Sequence, residues 1–248
     1  DKYGGDKCQY SDIEICSGNG NIQTNGSCIC DQGYGGNECQ YLYLPITESN
    51  IHTAVNLWFD NEDEARKIYK DISDWDVSKI TNMSRLFYEK TTFNEDISNW
   101  DVGNVTSMNE MFAIASSFNG DISSWDVGNV TDMRFMFYRT DLFNQDISSW
   151  DVGNVINMSL MFYGAKEFNK DLSSWNVSNV TSMRGMFSDA SKFNQDISSW
   201  DVSNVISMWD MFYNANALND YNKCNIHTEW INKIDNWTYD DWLSYCAD

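Results

Sequence analysis

Six tryptophans, Trp75, Trp100, Trp125, Trp150, Trp175 and Trp200, fall one every 25 residues without an insertion or deletion between them. Such a period marks stacked repeats, because one unit of this length cannot bury its apolar side chains alone while neighbouring units can share a core. Other positions keep the same step. Met83, Met108, Met133, Met158, Met183 and Met208 form one column; Leu86, Met111, Met136, Met161, Met186 and Met211 form a second, and these two hold all 11 methionines. Phe87 to Phe212 and Phe93 to Phe193, the latter closed by Leu218, supply two further apolar columns.

Within the unit from Asp96 to Gly120, the spacing Ile97-x-x-Trp100-x-Val102 puts Trp100 and Val102 on one side of an extended segment and Asn99 and Asp101 on the other. This predicts a strand. The next stretch, Thr106 to Phe112, carries apolar residues at i, i+3 and i+4 behind a Thr106 cap, which predicts a short helix. The expected fold is therefore an α/β repeat solenoid with one strand and one short helix per turn and a parallel sheet along one face.

Charge narrows the partners. With 37 acidic and 16 basic residues the formal net charge is −21, which disfavours nucleic acid and anionic membrane surfaces. No stretch reaches the roughly 18–20 apolar residues of a membrane span. Starting at Asp1, immediately before a cysteine-rich stretch, the chain reads as a mature protein whose targeting segment has been removed.

The recurring string Phe-Asn-x-Asp-Ile-Ser-x-Trp-Asp-Val-x-Asn-Val-Thr-x-Met-x-x-Met-Phe, as from Phe118 to Phe137, resembles the surface-protein repeat of the BspA-like family, a relative of leucine-rich repeats. The resemblance implies an extracellular or cell-surface repeat protein, with adhesion the usual role, and no particular ligand. At the N-terminus, Cys28-x-Cys30-x-x-Gly33-Tyr34-x-Gly36-x-x-Cys39 resembles the second half of an EGF-like module, and Cys16-Ser-Gly-Asn-Gly resembles its second-cysteine segment. That resemblance implies the pairs Cys16 to Cys28 and Cys30 to Cys39. Ile22 stands where the family has its third cysteine, so Cys8 is left over among 7 cysteines, either a free thiol or an intermolecular link.

Four regions follow: an EGF-like module over 1–40, a helical N-terminal cap over 41–70 with one or two helices from Thr53 to Tyr69, six repeats over 71–220, and a helical C-terminal cap over 221–248. In the last, Thr228 to Ile234 and Thr238 to Tyr245 read as helices, the second opening on a Thr238-x-x-Asp241 capping signal. Cys224 and Cys246 flank this cap and are expected to bond and pin it.

The Trp column is expected to form an inward packing ladder rather than a sugar platform. Asp101, Asp126, Asp151 and Asp201, interrupted by Asn176, form the candidate binding face; neighbouring carboxylates repel unless calcium bridges them or they hydrogen-bond turn amides. The unbroken column from Asp71 to Asp196 is expected to serve loop amides. Asparagines recur from Asn94 to Asn194 and from Asn104 to Asn204, as a turn device or an internal amide ladder. Candidate glycosylation acceptors are Asn25, Asn82, Asn104, Asn129, Asn157, Asn176, Asn179 and Asn236.

Catalysis finds no constellation: His52 and His227 are the only histidines and no triad, metal-binding or phosphate-cradling spacing surrounds them. The expected protein is a non-enzymatic extracellular structural or adhesive protein, a subunit of a coat or fibre touching copies of itself or other extracellular proteins head to tail. The alternative is a glycan- or cation-dependent recognition module using the Ser/Asp face.

Overall fold

A computed structural model describes residues 16–25, 27–234 and 237–246. Near the N-terminus, β1 (Gly20–Ile22) pairs antiparallel with β2 (Cys28–Cys30), and β3 (Tyr34–Gly35) with β4 (Tyr41–Leu42). Two disulfides, Cys16–Cys28 and Cys30–Cys39, pin this small region. Cys8 and Asn236 lie outside the described residues.

Two helices follow, α1 (Ile51–Asp60) and α2 (Glu62–Tyr69). Asn61 starts α2 by accepting the Glu64 amide on its side chain, and Glu62, Asp63 and Glu64 in the first turn complement the helix dipole. Glu48, just before α1, takes the Thr81 amide at 2.9 Å, and Phe59 at the helix end packs on Phe93 at 5.9 Å. Helix α1 therefore runs along the first repeat from Thr81 to Phe93.

The repeats contain neither the strand nor the helix that their spacing predicts, and the parallel sheet of the expected α/β solenoid does not form. What appears instead is a succession of tight turns. The Trp100 amide closes on Ile97 O and the Val105 amide on Val102 O, which breaks the expected strand at both ends while leaving Trp100 and Val102 buried. Parallel pairing shrinks to isolated bridges that link Asn82, Ser107, Asp132, Asn157, Ser182 and Ser207 in sequence.

The expected helix at Thr106–Phe112 fails for a clear reason. Glu110 and Ile114 have φ values of 55° and 63°, so the backbone enters the left-handed region twice where a helix would need it right-handed. Amides alternate in destination: Met111 and Ala113 close tight turns on Met108 O and Glu110 O, while Met108, Glu110, Phe112 and Ile114 donate to Asp132, Arg134, Met136 and Tyr138 of the next unit. Helices this short are costly to nucleate, and the stacked neighbour supplies hydrogen-bond partners that helix formation would forgo. Thr106 caps nothing; its hydroxyl donates to Thr81 O at 3.1 Å.

Every unit repeats this arrangement 25 residues on, so like side chains stack on like. Phe87, Phe112, Phe137, Phe162, Phe187 and Phe212 lie with successive centroids 5.4–6.0 Å apart, and the second Phe column follows beside it. Trp100, Trp125, Trp150, Trp175 and Trp200 are at most 4% exposed, and each indole N–H donates to a carbonyl 28 residues earlier, as Trp150 does to Ile122 O at 3.0 Å. The column is an inward ladder.

At the far end, α3 (Asp220–Trp230) begins earlier than the expected 228–234 helix, because Asn219 both continues the asparagine ladder onto Asn194 and caps the helix through the Asn222 amide. Trp230 adds one more rung: its indole N–H donates to Ser198 O and its ring stacks on Trp200 at 6.3 Å. The last segment is a 3-10 helix, Asp240–Cys246, closed by the Trp242 amide on Tyr239 O rather than by Thr238, and the Cys224–Cys246 disulfide ties it to α3.

Candidate functional site

The polar columns that the sequence offers as binding residues are mostly used inside the stack. Asp101, Asp126, Asp151 and Asp201 each accept the amide two residues on, from Gly103, Gly128, Gly153 and Ser203, at 3.0–3.1 Å. Asn176 does the same for Ser178, which explains how an amide replaces a carboxylate there without breaking the column. A methyl group on Gly103 would lie 3.3 Å from Asp101 Oδ1 and 3.6 Å from Asp126 Oδ2, so glycine leaves room for two successive carboxylates. Among the described residues no three His, Cys, Asp or Glu side chains converge on one point.

The earlier acidic column behaves alike. Asp96, Asp121, Asp146, Asp171 and Asp196 accept the amides of Ser98, Ser123, Ser148, Ser173 and Ser198. The Ser98 hydroxyl and amide hold Asp96 below the usual carboxylate range, and the Ser123 and Ser148 amides and hydroxyls do so for Asp121 and Asp146. Hydroxyl and amide bonds from Ser78 and Ser203 lower Asp76 and Asp201 likewise. At Asp196 burial pushes the other way, and bonds from Ser198 and Asn225 outweigh it.

Both asparagine columns are ladders. Asn104, Asn129, Asn154, Asn179 and Asn204 donate Nδ2 to the carbonyl 26 residues earlier at 2.7–2.8 Å. Asn94, Asn119, Asn144, Asn169 and Asn194 accept the amide of the next asparagine in the column at 2.8–3.0 Å. The acceptor triplets at Asn104, Asn129 and Asn179 thus sit on residues whose amides bind one turn to the previous one. Asn82, Asn157 and Asn25 accept local bonds from Ser84, Ser159 and Ser27 through Oδ1.

Among the described residues, two surface features stand apart from these columns. One is a groove of about 440 Å³ lined by Arg139, Asp141, Tyr163, Lys166, Asp189 and Ser191, among others. Tyr138 and Tyr163 stack at 4.9 Å beside it, Lys166 pairs with Asp141 at 2.7 Å, and Asp189, hydrogen-bonded to the Tyr163 hydroxyl, raises that phenol's pKa. The other is the last turn, where Ile206, Trp209 and Tyr213 are 76%, 63% and 58% exposed. Sequence reasoning missed both, although a signal existed: Trp209 occupies a column otherwise held by Ser84, Asn109, Arg134, Ser159 and Arg184.

His227 is buried in the C-terminal cap and accepts the Trp237 indole N–H on Nδ1 at 3.0 Å. Among the described residues no helix is long and apolar enough to cross a membrane.

A family model described as "Mycoplasma protein of unknown function, DUF285" matches residues 53–164 and 146–240, two overlapping stretches that together take in most of the 248 residues. Comparison with curated proteins and with solved structures gave no match.

Proposed function

Because the chain belongs to the family described as Mycoplasma protein of unknown function, DUF285, for which that description gives no activity, we propose from its geometry that it is an extracellular, non-enzymatic protein that serves as a rigid adhesive or structural spacer. The observation that carries this reading is the use of the recurrent Asp and Asn side chains as fasteners within or between turns. A stack built this way holds its side chains at fixed spacing, as a scaffold for contact requires. Disulfides at both ends fit an oxidising compartment. The BspA-like resemblance of the repeat points the same way.

Antibody labelling of intact cells that make the protein tests the reading. Surface label on unpermeabilised cells is expected; label that appears only after permeabilisation contradicts it. A second reading, saccharide recognition, is favoured by the groove at Tyr163, where an aromatic ring adjoins carboxylates, hydroxyls and two cationic side chains. Its test is binding of neutral hexoses to the wild type and to Tyr163→Ala.

A further inference from the structure

The two ends of the stack differ. Inside it, each turn donates four amides to carbonyls of the next: Met183, Gly185, Phe187 and Asp189 bond Ser207, Trp209, Met211 and Tyr213. The last turn has received these bonds and has its own equivalent amides to give, at Met208, Asp210, Phe212 and Asn214. Among the described residues only Phe212 has an acceptor, the Tyr239 hydroxyl at 2.8 Å. The amides of Met208, Asp210 and Asn214 donate to no group among the described residues.

At the opposite end the first turn is flanked by a helix. Helix α1 lies along it, with Glu48 on the Thr81 amide and Phe59 on Phe93. The carbonyls of Asn82, Ser84, Leu86 and Tyr88 in that turn accept no bond among the described residues, but a second copy carries the same formal charge of −21, which opposes laying one acidic stack on another.

We infer that the edge at Met208 and Asp210 is a docking site for an extended, basic polypeptide segment of a partner, whose carbonyls on alternate residues accept these two amides. This deepens the adhesive reading and rests on it. The site continues the turn-to-turn interface already made within the chain: the same donors, at the same two-residue spacing, each paired with carbonyls in every earlier turn. A groove of about 580 Å³ opens at this edge between Ile206, Met208 and Trp209 on one side and Ile234, Trp237 and Thr238 on the other. Backbone pairing supplies register and the flanking Trp209 and Ile206 supply apolar contact, as in recognition by strand addition.

The partner's charge follows from the surroundings. Asp210 and Asp241 both act electrostatically on Tyr239 beside the edge, and the chain carries a formal charge of −21, so a segment with lysines or arginines is drawn in and an acidic one repelled.

The test uses the full chain and a synthetic ten-residue peptide alternating L-valine with L-lysine. Its control has the same composition with the valines replaced by D-valine, which keeps charge and apolarity but throws valine and lysine onto one face of the extended backbone, so valine cannot meet Trp209 and Ile206 with lysine turned away while the backbone pairs. Expected are saturable binding of the all-L peptide by calorimetry, at least tenfold weaker binding of the control, and slower hydrogen exchange at the Met208 and Asp210 amides in the complex. Trp209→Ser, a residue that Ser84 and Ser159 already carry at the equivalent position, is expected to fold and to weaken binding at least tenfold. Equal binding of both peptides, binding without slowed exchange at Met208 and Asp210, or no binding overturns the proposal. The surface-labelling experiment is independent of these outcomes, so the edge can fail while the extracellular reading stands.

Discussion

Replacing Trp150 by phenylalanine isolates one rung of the indole ladder. Trp150 is 3% exposed, its ring lies 6.3 Å from Phe137, and its N–H is the partner of the Ile122 carbonyl at 3.0 Å. Phenylalanine keeps an aromatic ring in place but removes one of the two donors to that carbonyl, which retains the Trp125 amide at 3.2 Å, so the loss is that of one hydrogen bond, about 0.5–1.5 kcal/mol. Losing the second ring adds a small void worth about 1 kcal/mol. The expected destabilisation is therefore about 1.5–2.5 kcal/mol, or roughly 3–10 °C in melting temperature for a chain of this size. Urea denaturation followed by far-UV circular dichroism measures it without relying on the altered fluorescence. Trp75→Phe is the internal comparison, since its N–H reaches Lys70 O at only 3.4 Å at the edge of the stack, and about half the effect is expected. The reasoning is refuted if Trp150→Phe lies within about 0.5 kcal/mol of the wild type, below the ordinary worth of one hydrogen bond, or if both variants cost the same.

Asn154→Ala removes the Nδ2 donor to Gly128 O and should lower stability by about 1 kcal/mol, whereas substituting the neighbouring exposed Ile156 by threonine, as in four other turns, should change it little. Exchanging Cys224 and Cys246 for serine opens a loop with a sequence separation of 22 residues and should release about 3 kcal/mol of restraint on the C-terminal cap, read as faster amide exchange over 240–246 with the repeats unaffected. Acid should destabilise the protein in a defined window. Asp76, Asp96, Asp121, Asp146, Asp196 and Asp201 are depressed in the folded state, so the stability they contribute is present above about pH 4, the unfolded aspartate value, and is lost as pH falls through their lower folded values. Urea midpoints measured from pH 7 to pH 2 should drop below about pH 4, and Asp121→Asn, which retains an acceptor as Asn176 does, should soften that drop.

Much of the burial was legible from spacing alone, because a column that repeats every 25 residues can be assigned inward or outward once for all its members. Trp100 and Val102 face in and Asp101 faces out, as their alternation requires. Local conformation was not legible. Apolar residues at Met108, Met111 and Phe112 satisfy the spacing of a helix, yet the same three side chains reach the core from tight turns with left-handed residues between them. Periodicity reports which side chains share a face; it does not report whether an amide bonds within its own unit or to the next. Gly164 and Gly185 stand in the two left-handed columns, at φ 66° and 59°, and are the faint trace of this conformation in the sequence. The asparagine ladder was partly readable, since the column persists at Asn154 and Asn204 where the glycosylation triplet is lost. The open edge was hidden because it belongs to no recurring residue; it arises where the repetition stops.

Residue-by-residue hydrogen exchange of the methionine column tests the account most directly. Met83, Met108, Met133, Met158 and Met183 each donate their amide to the following turn, while Met208 has no acceptor among the described residues. The account predicts slow exchange at those five positions and exchange at Met208 faster by orders of magnitude. Protection at Met208 equal to that of Met183, or rapid exchange along the whole column, would contradict it.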